Sequence, residues 1–406
     1  MNVFQELPNA QRRTLELVKE IAAEKDCHPF LVGGPVRDIL LGRPAIDIDL
    51  TLETGSSTLA RALAKRVEGR VRSFPQFLTY KVISSNFPEV DIATARKERY
   101  RTPGALPAVT AGRLKDDLLR RDFSINAIAI DLLSGAMHDP ARGERDLESR
   151  VVRVLHDRSF IDDPTRIFRA TRLAARLGFT IEPHTAELTR DAIESGALST
   201  ISKERIWREV FLAMDEAEAP AILADLASRG ALDVLFGPRA ASSDLQTRLE
   251  GIRAQLEQTP ELDRYVLYTG ALLRGDASPV DFEGSGFSQK RARAIVEIAN
   301  DVPRLEEALG AASGERDRFR IYRSVSPEML TVIASEIPDE TTYIQRYRDY
   351  EKFKLPLRGT DLEVPGGPHV AQALEQTRQA VFSGEIALEE ARSYAKQVAR
   401  KLLASQ

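Results

Sequence analysis

Cysteine is almost missing from this chain: Cys27 is the only one in 406 residues. A single thiol excludes an intramolecular disulfide, a thiolate zinc cluster and a Cys-x-x-Cys redox pair, and it fits a reducing compartment. Histidine is scarce too, with five, at positions 28, 138, 156, 184 and 369, and no two stand at the short spacing of a metal clip. Any metal chemistry therefore falls to carboxylates, which select hard cations such as magnesium or manganese. No apolar run reaches the ~18 to 20 residues of a membrane helix. The opening MNVFQELPNAQRR also lacks the apolar stretch of a secretory signal. These absences predict a soluble, cytoplasmic protein with no membrane association. An excess of one charge is missing as well: 57 Lys and Arg against 61 Asp and Glu leave a net −4. That balance argues against indiscriminate coating of nucleic acid and permits a local basic patch.

At one domain per ~150 residues the length predicts two or three domains. Apolar spacing over 9 to 25 predicts an amphipathic helix. Phe30-Leu31-Val32 then reads as a strand, Gly33-Gly34 as a turn, and VRDILLG as a short helix with Pro35 at its start. Ile46-Asp47-Ile48-Asp49-Leu50 alternates with period two, a helix follows over 57 to 67, and 70 to 74, 78 to 84 and 89 to 94 read as strands. From about 115 strand signals almost vanish. Helical patterns take over at 162 to 177, 184 to 195, 203 to 217, 219 to 228, 245 to 257, 290 to 300 and 370 to 403. No fixed-period repeat is present, which argues against a solenoid. Gly275 to Gly286 and Leu355 to Gly367 are candidate internal boundaries.

Chemistry concentrates early in the chain. Two residues along a strand span ~6.5 Å on one face, so Asp47 and Asp49 project together while Ile46, Ile48 and Leu50 bury the other face. By spacing alone the pair fits either an exposed strand face or a site where a divalent cation relieves the repulsion. Upstream, Gly33 and Gly34 let a phosphate approach the backbone, and Arg37 offers a donor fork for its oxygens. Asp91, between Val90 and Ile92, is a candidate third metal-facing carboxylate. On the helix starting near Asp162, Arg166, Arg169, Arg172 and Arg176 share one face, opposite Ile167, Leu173, Ala174 and Leu177. Such a stripe is either solvated or faces something anionic.

The Gly-Gly turn, the Asp-x-Asp pair and the further strand carboxylate together resemble the nucleotidyltransferase superfamily. Arg120-Arg121-Asp122-Phe123-Ser124-Ile125-Asn126-Ala127 resembles its sugar-recognition motif, and Asp139 to Leu147 (DPARGERDL) its head-to-neck hinge. Asp162-Asp163-Pro164-Thr165-Arg166 looks like the motif that reads the incoming base, with Asp162 where many relatives have Glu. Ser202-Lys203-Glu204-Arg205 resembles the start of the last neck motif. In this order the motifs, over about residues 28 to 215, are similar to the bacterial-type (class II) tRNA nucleotidyltransferase and poly(A) polymerase family.

The resemblance implies an α/β nucleotidyltransferase head with a small mixed sheet over 1–150. It implies a helical neck for base recognition over 151–220, and a helical body and tail binding tRNA over 221–406. The implied activity is template-independent addition of C, C and A from CTP and ATP to the tRNA 3′ end. Asp47 and Asp49, with Asp91 as a further candidate, would hold two Mg2+ ions, or Mn2+ in their place. Gly33, Gly34, Arg37, Arg121, Asp122, Asn126, Asp163, Arg166, Arg169 and Arg172 would bind the nucleotide. Among them Asp122 would accept from the ribose 2′-OH, and Asp163 with Arg166 would present a hydrogen-bonding edge to the base. The apolar run Ile125, Ala127, Ile128 and Ile130 predicts that the segment after Asp122 is buried.

The implied partner is tRNA, held at its 3′ end and acceptor/T arm, with no obligate protein partner. Lys352, Lys354, Arg358, Lys396, Arg400 and Lys401 are candidate phosphate contacts or ordinary surface charge. Within the family, a CC-adding or A-adding enzyme and a poly(A) polymerase remain alternatives. Glu98 to Leu119 stands, somewhat short, where full CCA-adding enzymes carry a flexible loop, and the terminal EEARSYAKQVARKLLASQ is not the basic tail of a poly(A) polymerase. A noncatalytic RNA-binding relative would have no need of the repulsive Asp47–Asp49 pair. No His-Asp phosphohydrolase signature accompanies these motifs.

Overall fold

The computed structural model describes residues 7–238, 242–275, 277 and 282–404. The chain divides into two compact units, Met1–Ser242 with Phe282–Gly286, and Ser243–Asp281 with Phe287–Gln406. The first unit opens with α1 (Asn9–Lys25), β1 (Phe30–Val32), α2 (Gly34–Leu40), β2 (Ile48–Leu52), α3 (Ser56–Arg66) and β3 (Arg70–Phe74). β4 (Thr79–Ile83), β5 (Val90–Thr94), β6 (Arg96–Arg99), β7 (Ala108–Ala111), α4 (Leu114–Leu119), β8 (Ala129–Asp131) and β9 (Met137–His138) follow.

Seven strands form one mixed sheet in the order β3-β4-β5-β2-β1-β8-β9, with β2 and β5 parallel and the other pairs antiparallel. Side chains alternate across it. Ile48, Leu50, Val82, Val90 and Ile92 are buried on one face, and α3 packs beside β3, β4 and β5. Asp49, Lys81 and Asp91 hold the other face of β2, β4 and β5. β8 is a strand that the apolar pattern after 115 did not announce: Ile125, Ala127, Ile128 and Ile130 are fully buried as expected, and residues 129–131 pair with β1. A run apolar on both faces carries no period-two signature.

The acidic strand starts later than its alternation predicts. β2 begins at Ile48, so Asp47 stands just ahead of the strand, and Ile46, expected in the core, is 72% exposed. The parallel ladder pairs Ile48 with Val90 and stops there. Two positions earlier on that side stands Pro88, which has no N–H to give. The Ile46 carbonyl instead accepts from Gln11 Nε2 at 2.9 Å.

Helices then dominate: α5 (Gly143–Glu148), β10 (Val151–Val152), α6 (Ser159–Asp162), α7 (Thr165–Leu177), β11 (Thr180–Ile181), α8 (Pro183–Glu194), α9 (Lys203–Met214), α10 (Ala219–Ser228) and α11 (Asp233–Phe236). The single helix expected over 162 to 177 is broken. Asp163 is extended at φ −139° and ψ 92°, because the ring of Pro164 disfavours helical backbone at the residue before it. The segment placed at a flexible loop is folded: β6 and β7 pair as a hairpin, Arg96 opposite Ala111 and Arg99 opposite Ala108.

The second unit is helical throughout its described elements. It holds α12 (Leu245–Gln258), α13 (Arg264–Leu272), α14 (Gln289–Gly310), α15 (Glu315–Tyr322), α16 (Pro327–Glu336), α17 (Pro338–Lys352), α18 (Pro368–Phe382) and α19 (Ala391–Ala404). The helix expected over 290 to 300 runs on to Gly310, and the one expected over 370 to 403 is two, with Gly384 at φ +75° between them. α13, α15, α16 and α17 lacked a distinct apolar period. Phe319, Tyr322 and Tyr350 are fully buried, and the two tyrosines bring hydroxyls into the core that bond Glu340 and Glu375. Among the described residues no helix is long and apolar enough to cross a membrane.

Candidate active site

The glycine turn shows why its residue type is required. Gly33 has φ +77°, and a Cβ there would lie 2.7 Å from Arg121 Nη1 and 3.8 Å from Asp49 Oδ2. The left-handed φ and the guanidinium and carboxylate that crowd the Cβ position together favour glycine there. Gly34 is less constrained, since its nearest neighbour would be Arg37 Nη2 at 3.6 Å.

Asp49 pairs in register with Asp91, and Asp91 with Lys81. Lys81 Nζ lies 3.0 Å from both Asp91 Oδ2 and Glu89 Oε2, so Asp91 has a lysine partner that the sequence did not reveal. Burial lifts the Asp49 carboxyl to about 6, the charges of Asp91 and Asp47 add to the lift, and Arg121 and Lys81 oppose it. Asp47, Asp49 and Asp91 thus share one electrostatic neighbourhood. Among the described residues no three His, Cys, Asp or Glu side chains come close enough to cage an ion. The donor chemistry still fits a divalent cation: hard oxygens, one of them disfavoured as an anion by negative charge that a cation relieves.

A polar chain runs away from this point. Arg37 Nη1 donates to Asn126 Oδ1 at 2.8 Å, Asn126 Nδ2 to Asp122 Oδ1 at 3.0 Å, and Arg169 Nε to Asp122 Oδ2 at 3.0 Å. The Phe123 amide adds a bond to Asp122 Oδ1 at 2.9 Å. Burial works to raise the Asp122 carboxyl, but Arg169 and the Asn126 bond outweigh it and hold it at about 2. Both Asp122 oxygens are therefore engaged within the protein. In this arrangement Asp122 orients Arg169 and Asn126 and presents no vacant acceptor to a ribose.

The arginine stripe of α7 is answered by the protein's own carboxylates. Arg172 lies 2.9 Å from Glu209 and 3.2 Å from Glu216, and Arg176 Nε donates to Glu216 at 3.0 Å. Arg172, expected to neutralise a triphosphate, is itself neutralised by α9 and the turn after it. Arg166 is buried, giving Nη1 to Ser159 Oγ at 2.7 Å and Nη2 to the Arg120 carbonyl at 2.9 Å. Asp163 Oδ1 accepts from Thr165 Oγ1 at 2.7 Å and Arg205 Nη2 at 2.9 Å, while Oδ2 has no hydrogen bond among the described residues.

Asp163, Arg166 and Arg169 line a cavity of about 380 Å³ with Arg121 and Asp122. Its wall carries six arginines, 96, 120, 121, 166, 169 and 205, against the three carboxylates Glu98, Asp122 and Asp163, so its formal charge is positive. Arg121 Nε is buried without a hydrogen-bond partner, while Nη2 of the same guanidinium lies 3.1 Å from Asp117. A neighbouring cavity of about 90 Å³ shares Asp122 and Arg169 and adds Arg37, Asn126, Arg172 and Arg176. Arg205 had a signal, as the last residue of the Ser-Lys-Glu-Arg segment. Glu98, which accepts from Arg96, Tyr100 and Arg120, had none, because a hairpin interior gives a lone acid no distinguishing period.

Residues 29–153 match the family model described as the poly A polymerase head domain. Residues 178–243 match the one described as a probable RNA and SrmB-binding site of polymerase A. The chain belongs to the tRNA nucleotidyltransferase and poly(A) polymerase family. An A-adding tRNA nucleotidyltransferase of Geobacter sulfurreducens is 30% identical over 94% of this chain and 46% of its own length. A multifunctional CCA protein of Xanthomonas campestris pv. campestris is 40% identical over 58% of this chain and 55% of its own. The chain thus spans about half the length of these curated relatives. An apo CCA-adding enzyme structure superposes with TM-score 0.83 at 25% identity, covering 100% of this chain and 98% of that one.

Proposed function

We propose that this member of the nucleotidyltransferase family completes tRNA 3′ ends, adding C, C and A from CTP and ATP without a template. The observation that carries the reading is Gly33, beside whose Cβ position both Arg121 Nη1 and Asp49 Oδ2 lie within 4 Å. It joins the acidic strand to a positively charged cavity of nucleotide size. A triphosphate drawn in by Arg121 and its neighbours would therefore have its reacting end beside Asp49. The positions of Asp163 and Arg166 on the cavity wall support a role in reading the base, with Asp163 Oδ2 as the acceptor and Arg205 fixing the carboxylate's orientation.

Asp47 and Asp49 are the residues that would hold two magnesium ions, with Asp91 as a further candidate once released from Lys81. Such ions, when bound, supply Lewis-acid activation of the 3′-hydroxyl and stabilise the leaving pyrophosphate. The chain's own residues do the rest by position and charge. Arg121 and Arg169 would face the phosphate oxygens, Gly33 would allow close approach, and no side-chain nucleophile is required. The helical second unit would take the tRNA body. There Arg323, Arg348 and Lys352 line a cavity of about 720 Å³, whereas Lys396 is paired with Glu363 at 2.6 Å.

A second reading, addition of the terminal A alone, is favoured by the name of the Geobacter sulfurreducens relative. Incubation with magnesium, CTP and ATP of tRNA transcripts ending before CCA, after C and after CC, followed by 3′-end sequencing, separates the readings. Completion of all three to CCA and then a stop is expected. A on the CC-ending transcript alone identifies an A-adding enzyme, a long A tract a poly(A) polymerase, and no extension of any transcript overturns the assignment.

A further inference from the structure

One row of paired residues crosses the sheet from the acidic strand to its edge. Asp49 on β2 is in register with Asp91 on β5, Asp91 with Lys81 on β4, and Lys81 with Arg72 on β3. Directly paired residues share a sheet face, so Arg72 lies on the face that carries Asp49, three strand spacings or ~14 Å away. Arg70 and Phe74, two positions to either side of Arg72, share that face. The opposite face holds the buried Val82, Val90 and Ile92.

The charges along this row are not equivalent. Lys81 is neutralised by Glu89 and Asp91. Arg70 and Arg72, both exposed, make no ion pair among the described residues. The Arg72 guanidinium lies over the Phe74 ring, 5.1 Å from its centroid. Three residues after Phe74, Phe77 lines the positively charged cavity. Charged side chains on an edge strand also discourage pairing with another chain. That role requires neither a common face with Asp49 nor a stacked guanidinium.

We propose that Arg70, Arg72 and Phe74 form a track for the phosphodiester backbone of a single-stranded RNA 3′ tail, leading its terminal hydroxyl across the sheet toward Asp49. The inference rests on the reading of this chain as an enzyme that extends RNA. It adds where the acceptor strand, as distinct from the incoming nucleotide, is held. Guanidinium pairs with phosphate, and the aromatic ring gives a base a sequence-tolerant stacking surface, so the track reads no sequence.

The test is fluorescence anisotropy, without nucleotide, of labelled RNA hairpins bearing a three-nucleotide 3′ tail or a blunt end. Wild type is compared with Arg70→Gln/Arg72→Gln and Arg70→Lys/Arg72→Lys, each checked by thermal melting. The glutamine pair is expected to bind the tailed hairpin roughly three- to tenfold more weakly. Its slope of log affinity against log salt should be shallower by ~0.7 for each lost single-strand contact. Blunt hairpins should bind both proteins alike, and the lysine pair should keep most of the affinity. Unchanged affinity and slope for the tailed hairpin, an equal loss on the blunt hairpin, or no binding of tailed RNA by wild type would each overturn the proposal. An arginine-dependent tail affinity in a protein that extends no transcript would leave the track standing and remove the proposed activity. Extension by a protein indifferent to both arginines would do the reverse.

Discussion

Arg205 Nη2 donates to Asp163 Oδ1 at 2.9 Å, and the same guanidinium gives Nη1 to the Gly104 carbonyl at 2.6 Å. One side chain of α9 therefore fixes both the carboxylate proposed to read the base and the tip of the β6–β7 hairpin. Arg205→Ala should lower kcat/KM for CTP and ATP by about 10- to 100-fold and narrow their margin over GTP and UTP. Arg205→Lys should rescue little, because an ammonium cannot span both acceptors. Single-turnover incorporation of each of the four nucleotides measures this, and an unchanged ranking would refute it.

Asp49 carries a cost in the folded protein, since burial and the charge of Asp91 lift its carboxyl to about 6. Asp49→Asn removes that repulsion while keeping the shape. The variant should melt at or above the wild-type temperature without metal, yet lose on the order of 1,000-fold or more in nucleotide addition. Millimolar magnesium should raise the melting temperature of wild type and not of the variant, as differential scanning fluorimetry can show.

Asp122 behaves in the opposite sense. Its folded carboxyl sits at about 2, below its ordinary value of 3.8, so its contribution is present above pH 4 and is lost as pH falls toward 2. Asp122→Asn should destabilise the first unit by on the order of 2 kcal/mol at pH 7. The gap between wild type and variant should shrink from about pH 4 downward. Denaturant unfolding at pH 7 and pH 3 provides the comparison, and a gap that does not depend on pH would contradict the assignment.

Gly33→Ala meets two penalties at once, a φ of +77° and a Cβ position 2.7 Å from Arg121 Nη1. The backbone strain should cost about 1 to 3 kcal/mol. Displacement of Arg121 should raise the KM for nucleotide more than it lowers kcat. Gly34→Ala, whose nearest neighbour would be 3.6 Å away, should do markedly less in the same urea and kinetic measurements.

The parts of this site legible in the sequence were those with a local signature. The glycine turn, the Asp-x-Asp spacing, the helix of 9–25 and the Arg166 to Arg176 stripe each follow from period or residue type over a few positions. What remained illegible depended on partners far along the chain. Glu209 and Glu216 quench Arg172 from 37 and 44 residues away, and no spacing rule shows that a cationic stripe will be met from inside. Pro88, two residues ahead of β5, stands where the β2 ladder stops, so Ile46 lies outside the strand that its alternation predicts. The break at Asp163 was readable in principle from Pro164, but the strong apolar period on both sides masked it.

The pairing of β1 with β8, Phe30 opposite Asp131 and Val32 opposite Ala129, has a consequence for how the protein is made. Until residue 131 leaves the ribosome, β1 has β2 on one side and nothing on the other. At translation rates of 5 to 20 residues per second, those ~100 residues keep one edge of a central strand open for roughly 5 to 20 s. The nascent chain must guard an apolar Phe-Leu-Val edge through that interval. Protease sensitivity of ribosome-stalled chains should fall once β8 has emerged, with the glycine turn of the candidate site ordered in the same step.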